Sequence, residues 1–299
     1  MKILITGASG FVGTNLSKKF IKKSYQYESL NLRNSNWKSE IDTEATAILH
    51  LAGKAHDLKN SSNPEEYFEV NTKLTQELFD VFLASNCRDF IYFSSVKAAA
   101  DIADITITEE ILPHPQTVFG QSKLQAEQYL LSQEIPKDKR VFVLRPCMIH
   151  GPGNKGNLNL LYQLINKSLP WPLGAFQNQR SFCSIDNVCY VIQQILERED
   201  IPSGVYNLAD DESVSTNELI ELIATTTNKK ARILSVPKKI IYAITRLGDI
   251  SSLPLNTERL DKLTENFLVS NTKIKTVLGI EKLPVSAKEG LTKTIKSFN

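Results

Sequence analysis

The chain of 299 residues contains no stretch that approaches the ~18 uninterrupted apolar residues of a membrane span, which excludes a bilayer-crossing helix. Its amino-terminal apolar run breaks at Thr6 and Gly7, far short of a secretory leader, so a cytoplasmic location is expected. Cysteine is scarce. Cys87, Cys147, Cys183 and Cys189 include no C-x-x-C pair, which excludes the common zinc frameworks, and they are too few to staple a chain this long. They read as core thiols in a reducing compartment. Excess charge is lacking too: Lys and Arg number 35 against 33 Asp and Glu, a formal +2. Such a total supplies no field for nucleic acid or an anionic membrane, and neither partner is expected. Internal repeats and low-complexity tracts are absent. What is left is a globular chain long enough to bury a large core and able to take a small charged metabolite.

Short β-branched or apolar runs recur at Lys2 to Ile5, Ala47 to Leu51, Asp89 to Phe93, Val141 to Leu144 and Val205 to Leu208, and each reads as a strand. Amphipathic stretches separate them. The clearest runs from Pro64 to Ala84, with Asn63 as cap, Pro64 at the first helical position and Glu66 three residues after the cap. Its expected apolar face is Tyr67, Val70, Leu74, Leu78 and Val81. Helices are also expected over Asp186 to about Arg198 and after the capping box Ser215-Thr216-Asn217-Glu218. Strand and helix in alternation predict an α/β fold, a doubly wound parallel sheet of the Rossmann type whose ligands sit at the carboxyl ends of the strands. From Gly151 the pattern loosens, and Leu169-Pro170-Trp171-Pro172-Leu173-Gly174 is too rich in breakers for regular structure.

The first strand runs into Thr6-Gly7-Ala8-Ser9-Gly10-Phe11-Val12-Gly13, and an amphipathic helix with Leu16, Phe20 and Ile21 follows. Gly7 permits a tight turn, Gly10 lets backbone N–H groups approach a pyrophosphate, and Gly13 lets helix and strand pack closely, with the anion on the helix dipole. Dinucleotide binding is the expectation, with Ser9, Phe11 and Val12 completing the cradle. The expected organisation is then a dinucleotide-binding domain over 1–155 plus about 181–212 and a smaller, discontinuous C-terminal substrate lobe over about 156–180 plus 213–299. At the end of the second strand, where NAD specificity would place a carboxylate on the adenosine ribose, the chain has Asn31, with Arg33 close by to pair with a 2′-phosphate. NAD(P) is therefore the expected cofactor, with NADP slightly favoured.

The spacing Gly-x-x-Gly-x-x-Gly after Thr6 resembles the short-chain dehydrogenase/reductase superfamily, in its extended branch of nucleotide-sugar epimerases, dehydratases and reductases. His50-Leu51-Ala52-Gly53-Lys54-Ala55-His56 resembles the family's loop after the fourth strand, which implies that Leu51, Ala52 and Gly53 pack along the cofactor, and Asn71 matches an asparagine of the following helix. In Phe93-Ser94-Ser95-Val96-Lys97 the resemblance gives Ser95 the hydroxyl that meets the reacting sugar oxygen and leaves Ser94 a structural part. Pro115 to Glu127 resembles the segment with the family's Tyr-x-x-x-Lys pair, and here the tyrosine position is Phe119 while Lys123 is retained. A helix sets residues four apart on one face, so the lysine would hold the nicotinamide ribose and depress a phenol that exchanges a proton with the sugar. Phenylalanine keeps the ring and loses the oxygen. Three origins for Phe119 stand open: an introduced replacement that traps a complex, favoured by the intact surroundings, a natural loss in a silent relative, or a natural variant with another proton carrier, for which His150 is a candidate.

Arg145-Pro146-Cys147-Met148-Ile149-His150-Gly151 resembles the strand and loop that pass the nicotinamide, which puts Pro146 beside the cofactor. Asn157, Arg180 and Arg259 fall where the resemblance implies a grip on the diphosphate of a nucleotide sugar. The implied activity is an NAD(P)-dependent 4-epimerase or 4-ketoreductase acting on a UDP-sugar for surface polysaccharide precursors, working as a homodimer through the helices near 64–84 and 117–133. The alternative is a catalytically silent NAD(P)-binding sensor or scaffold.

Overall fold

The structure is a computed structural model that describes residues 1–298 apart from 43, 56–62, 103–104, 155 and 252–255. Six strands form one parallel sheet in the order β2-β1-β3-β4-β5-β8: β1 is Lys2–Thr6, β2 Gln26–Leu30, β3 Ala47–His50, β4 Asp89–Phe93, β5 Arg140–Pro146 and β8 Gly204–Leu208. The sequence order reverses between β1 and β3, so the crevice at their carboxyl ends is the place for a ligand. Each expected strand is found, and the predicted doubly wound α/β fold is the observed one.

Strand periodicity explains the two-sided core. Ile3 and Ile5 of β1, Ile91 and Phe93 of β4, and Phe142 and Leu144 of β5 enter one hydrophobic cluster with α1 (Phe11–Lys22) and α6 (Ile185–Glu197). The alternate residues Leu4, Phe90, Tyr92, Val141 and Val143 enter a second cluster on the opposite face, with α3 (Leu74–Ala84) and α4 (Val118–Ser132). All four cysteines are buried, and burial pushes each thiol up.

The helix expected over 64–84 is continuous but not uniform. It begins as α2 (Pro64–Phe68), with the Asn63 side chain accepting from the Glu65 N–H, passes through a π-helical turn at Glu69–Lys73 and continues as α3. The π turn holds an extra residue and rotates everything after it. The expected face is thereby displaced: Tyr67, Val70, Leu74 and Val81 are half-buried, while Asn71, Thr72, Thr75, Leu78, Phe79 and Phe82 are the buried set.

Among the described residues between β2 and β3 lies a single 3-10 turn, Trp37–Glu40, whose buried indole plugs the second cluster. No further strand pairs with β2 among the described residues, so β2 is the sheet edge. The loop expected after a fourth strand consequently follows the third strand of this chain; a crossover this short has no room for another helix and strand.

A third cluster forms the C-terminal lobe from α5 (Asn157–Asn166), α7 (Thr216–Thr226), α8 (Lys238–Ser251), α9 (Thr257–Thr264) and α11 (Ala287–Lys296), with Trp171, Leu173 and Phe176. The expected capping box at Ser215 and Glu218 opens α7. The breaker-rich run gains order by bridging: Trp171 pairs with Ile233 and Leu173 with Ser235. A small sheet, β6 (Met148–His150), β7 (Arg180–Ser184) and β9 (Ser213–Val214), joins the lobe to the main sheet. Val269, Leu283 and α10 (Thr272–Leu278), within the stretch expected to belong to the lobe, pack in the first cluster. Among the described residues no helix is long and apolar enough to cross a membrane.

Candidate active site

The glycine turn is fixed by close packing. Gly7 has φ +71, and a Cβ there would lie 2.7 Å from the Ala52 nitrogen. A Cβ on Gly13 would lie 2.5 Å from the Gly7 oxygen. At Gly10 the only contact would be the Gly7 oxygen at 3.2 Å, so this glycine leaves space on its outer side. The turn closes through the Gly10 N–H to the Gly7 carbonyl at 3.0 Å. Helix α1 starts with no side-chain cap and no acidic residue in its first turn, so nothing of its own competes for an anion there. Ser9 is exposed on this rim, and Phe11 and Val12 are partly buried against the first cluster. The turn fits the diphosphate of a dinucleotide.

A buried relay locks the turn to the neighbouring loop. The Ala52 N–H donates to Thr6 Oγ1 at 3.1 Å, Thr6 Oγ1 meets His50 Nδ1 at 2.6 Å, His50 Nε2 meets Thr75 Oγ1 at 2.8 Å, and Thr75 donates to the Asn71 carbonyl at 2.8 Å. Read in that direction every proton has one acceptor, which assigns a neutral imidazole protonated at Nε2. Burial, reinforced by the Lys123 charge, holds its pKa down to about 3. Asn71 completes the frame, accepting from the Lys54 N–H at 2.7 Å and donating to the Lys54 carbonyl and Ser122 Oγ, each at 3.0 Å.

Lys123, on α4, is 5% exposed and donates to the Phe93 carbonyl at 2.9 Å. Its ammonium lies 4.8 Å from the Tyr92 ring centre, and burial, partly offset by the Glu127 carboxylate, lowers its pKa to about 8. A Cβ on Gly53 would lie 3.1 Å from both Lys123 Nζ and Asn71 Oδ1, so Gly53, Asn71 and Lys123 meet at one point. Ser95 caps a 3-10 turn and accepts from the Lys97 N–H at 3.2 Å, which leaves its hydroxyl proton to donate. A Cβ on Gly120 would lie 2.4 Å from the Lys97 oxygen, so the turn after Ser95 sits on the start of the helix that carries Phe119. That start is anchored by Asp101, which accepts from the N–H groups of Gln116 and Thr117 and from Thr117 Oγ1. Phe119 is half-buried and brings no polar atom.

Behind these residues lies an ion pair that sequence reasoning did not single out. Arg145 donates to Glu127 at 3.0 Å, both side chains being almost fully buried, and Ser94 also donates to Glu127. Ser94 is thus structural, as expected. His150 is no candidate proton carrier: it is 1% exposed, and its nitrogens meet Thr294 Oγ1 at 3.0 Å and Asp210 Oδ2 at 3.2 Å. It joins β6 to α11, with both ring nitrogens taken up by these interior contacts.

The remaining expected residues are more dispersed. Pro146 ends β5 and is buried. Asn31 accepts from the Arg33 N–H at 3.2 Å and donates to Asn34 at 3.2 Å, while the Arg33 side chain is exposed. Asn157 opens α5, and its side chain is outside the described residues. Arg180 begins β7, with its guanidinium donating to the Glu265 carbonyl at 3.3 Å, and Arg259 stands exposed on α9.

A six-stranded parallel sheet with a glycine turn at its switch point defines the chain as an α/β protein of the Rossmann class. Comparison with known proteins gives the family: residues 3–209 match the NAD dependent epimerase/dehydratase family, and the chain belongs to it. It is 30% identical to a UDP-glucose 4-epimerase of Vibrio cholerae, over 99% of this chain and 95% of that protein. In fold it is similar to a UDP-glucuronic acid 4-epimerase of Bacillus cereus in complex with NAD, at 19% identity and TM-score 0.74, covering 100% of this chain and 98% of the other. It is similar also to RMD of Pseudomonas aeruginosa complexed with NADPH, at 22% identity and TM-score 0.75, covering 99% and 98%.

Proposed function

We propose that this chain binds a nicotinamide dinucleotide and a UDP-sugar, and that its chemistry is hydride transfer at carbon 4 of the sugar, as a cytoplasmic epimerase or 4-ketoreductase. The observation that carries the reading is the convergence of Gly53, Asn71 and Lys123, with Lys123 bound to the Phe93 carbonyl two residues before Ser95, at the carboxyl ends of β3 and β4. When bound, the nicotinamide supplies or accepts the hydride. The chain does the rest. Gly7 to Gly13 and the start of α1 hold the diphosphate, Lys123 holds the ribose, and the Ser95 hydroxyl orients the sugar oxygen. Phe119 occupies the proton-transfer position and has no proton to give, so turnover is slow.

Asn31 and Arg33 offer the 2′ position no carboxylate and one cation, which favours NADP(H) and with it a reductase that exchanges its cofactor each cycle. Arg180 and Arg259, with Asn157, are the proposed grip on the sugar's diphosphate. A homodimer through the helices over 64–84 and 117–133 belongs to the same proposal. The rival reading, a silent sensor or scaffold, is favoured by Phe119 alone. Calorimetric titration with NAD, NADP and their reduced forms, followed by UDP-sugars onto the loaded protein, tests the proposal. Saturable binding of both classes is expected; no binding of any nicotinamide nucleotide would refute it.

A further inference from the structure

The balanced total charge conceals a local excess. Between Glu221 and Asp249 the chain carries Lys229, Lys230, Arg232, Lys238, Lys239 and Arg246 and no acidic residue, and all six cations are exposed. The second half of this segment is α8. One side of α8 enters the lobe core, where Ile241 is 2% exposed and Thr245 is fully buried. A second apolar row faces water: Ile240 is 50% exposed and Ile244 42%, one turn apart, with Leu247 at 63% one turn further on. Leu234, whose N–H bonds the Trp171 carbonyl just before the helix, adds another aliphatic side chain at 49% exposure. A helix of a globular protein needs one apolar stripe, and α8 has two.

We propose that α8 and the basic segment leading into it seat the C-terminal lobe on an anionic phospholipid bilayer, with Ile240 and Ile244 entering the headgroup boundary and the cations framing them. Aliphatic residues bordered by Lys and Arg suit the membrane interface, and fixed cations complement acidic headgroups. A second copy of the chain fits this face poorly, because a two-fold pairing would set six cations against six, and Asp249, the acid of α8, is already engaged by Thr257. Nucleic acid would use the charge and leave the aliphatic row without a partner. The end of α8 is also tied to the lobe's arginine helix: Thr257, the first residue of α9, donates to Asp249 through its N–H at 2.9 Å and its hydroxyl at 2.6 Å. Seating α8 therefore brings the helix of Arg259 close to the headgroup layer. The proposal is independent of the coenzyme and sugar reading and is tested without either.

Flotation of the full chain with phosphatidylcholine vesicles, with and without phosphatidylglycerol, decides it. Binding is expected only to the anionic vesicles and is weakened by added salt. Ile240→Asp combined with Ile244→Asp abolishes it, and Lys238→Gln combined with Lys239→Gln weakens it about thirtyfold. All four positions are exposed, so circular dichroism and Tm stay at wild-type values. Failure to float with anionic vesicles overturns the proposal. Undiminished flotation of the aspartate variant overturns it too, as does self-association that this variant dissolves in a protein that ignores vesicles.

Discussion

Lys123 reaches from the middle of α4 to the Phe93 carbonyl, 2.9 Å from its Nζ, at the end of β4 and two residues before Ser95. One hydrogen bond thus fixes a helix side chain against the strand end from which the serine emerges. The ammonium is buried for this contact, at a cost that a ligand ribose would help to offset.

Burial lowers Lys123 from 10.5 to about 8. Between those values the unfolded chain keeps a proton that the folded chain has shed, so stability rises with pH across that window, and the burial penalty is full below it. Lys123→Met should therefore retain or raise Tm at neutral pH, flatten the rise towards alkaline pH and weaken dinucleotide binding about 10–100-fold, the scale of a lost charged hydrogen bond. Calorimetric scans and titrations check both effects.

His50 follows the same sign in a more acidic window. Its folded pKa is about 3 against an ordinary 6.5, so the unfolded chain takes up a proton first, and stability is lost as pH falls from 6.5 towards 3. The full loss is up to about 5 kcal/mol. His50→Gln should cost about 1–3 kcal/mol at neutral pH and show a shallower acid limb, measured by urea unfolding at several pH values.

Glu127→Gln leaves the Arg145 guanidinium buried without its counter-charge. A loss of about 3–5 kcal/mol in unfolding free energy is expected. Arg145→Met in the same chain should recover part of it, which a double-mutant cycle reads directly.

Gly10 and Gly13 separate binding from folding. A Cβ at Gly10 meets only the Gly7 oxygen at 3.2 Å, so Gly10→Ala should fold normally and lose dinucleotide affinity about tenfold or more, because the methyl stands where the diphosphate approaches. A Cβ at Gly13 lies 2.5 Å from the Gly7 oxygen and 2.6 Å from Ala8 Cα, so Gly13→Ala should destabilise the fold by about 1–3 kcal/mol. Thermal melts and titrations of the two variants should give opposite rankings.

Strands β1, β4 and β5 were legible because a buried parallel sheet demands near-continuous apolar runs, and the turn at Gly7 was legible because it packs against loop backbone at Ala52. The buried face of 64–84 was not, since a π turn rotates the helix without any marker in the periodicity. Nor was the Ser94, Glu127 and Arg145 cluster: its members come from β4's end, α4 and β5, and only the folded register joins them. His150, a candidate proton carrier in the sequence, is bound on both nitrogens, because Thr294 arrives from the last helix and Asp210 from beyond β8. The cations around α8 vanished in a balanced sum.

Position 119 is proposed as the vacant proton-transfer site of an otherwise assembled carbon-4 centre. Phe119→Tyr, assayed with UDP-sugars and their 4-keto forms and both nicotinamide cofactors, tests it most directly. Turnover should rise by about 10²–10⁴ over the Phe119 chain, with dinucleotide affinity unchanged. A variant that binds the dinucleotide as the wild type does and gains no turnover on any of these substrates would contradict the claim.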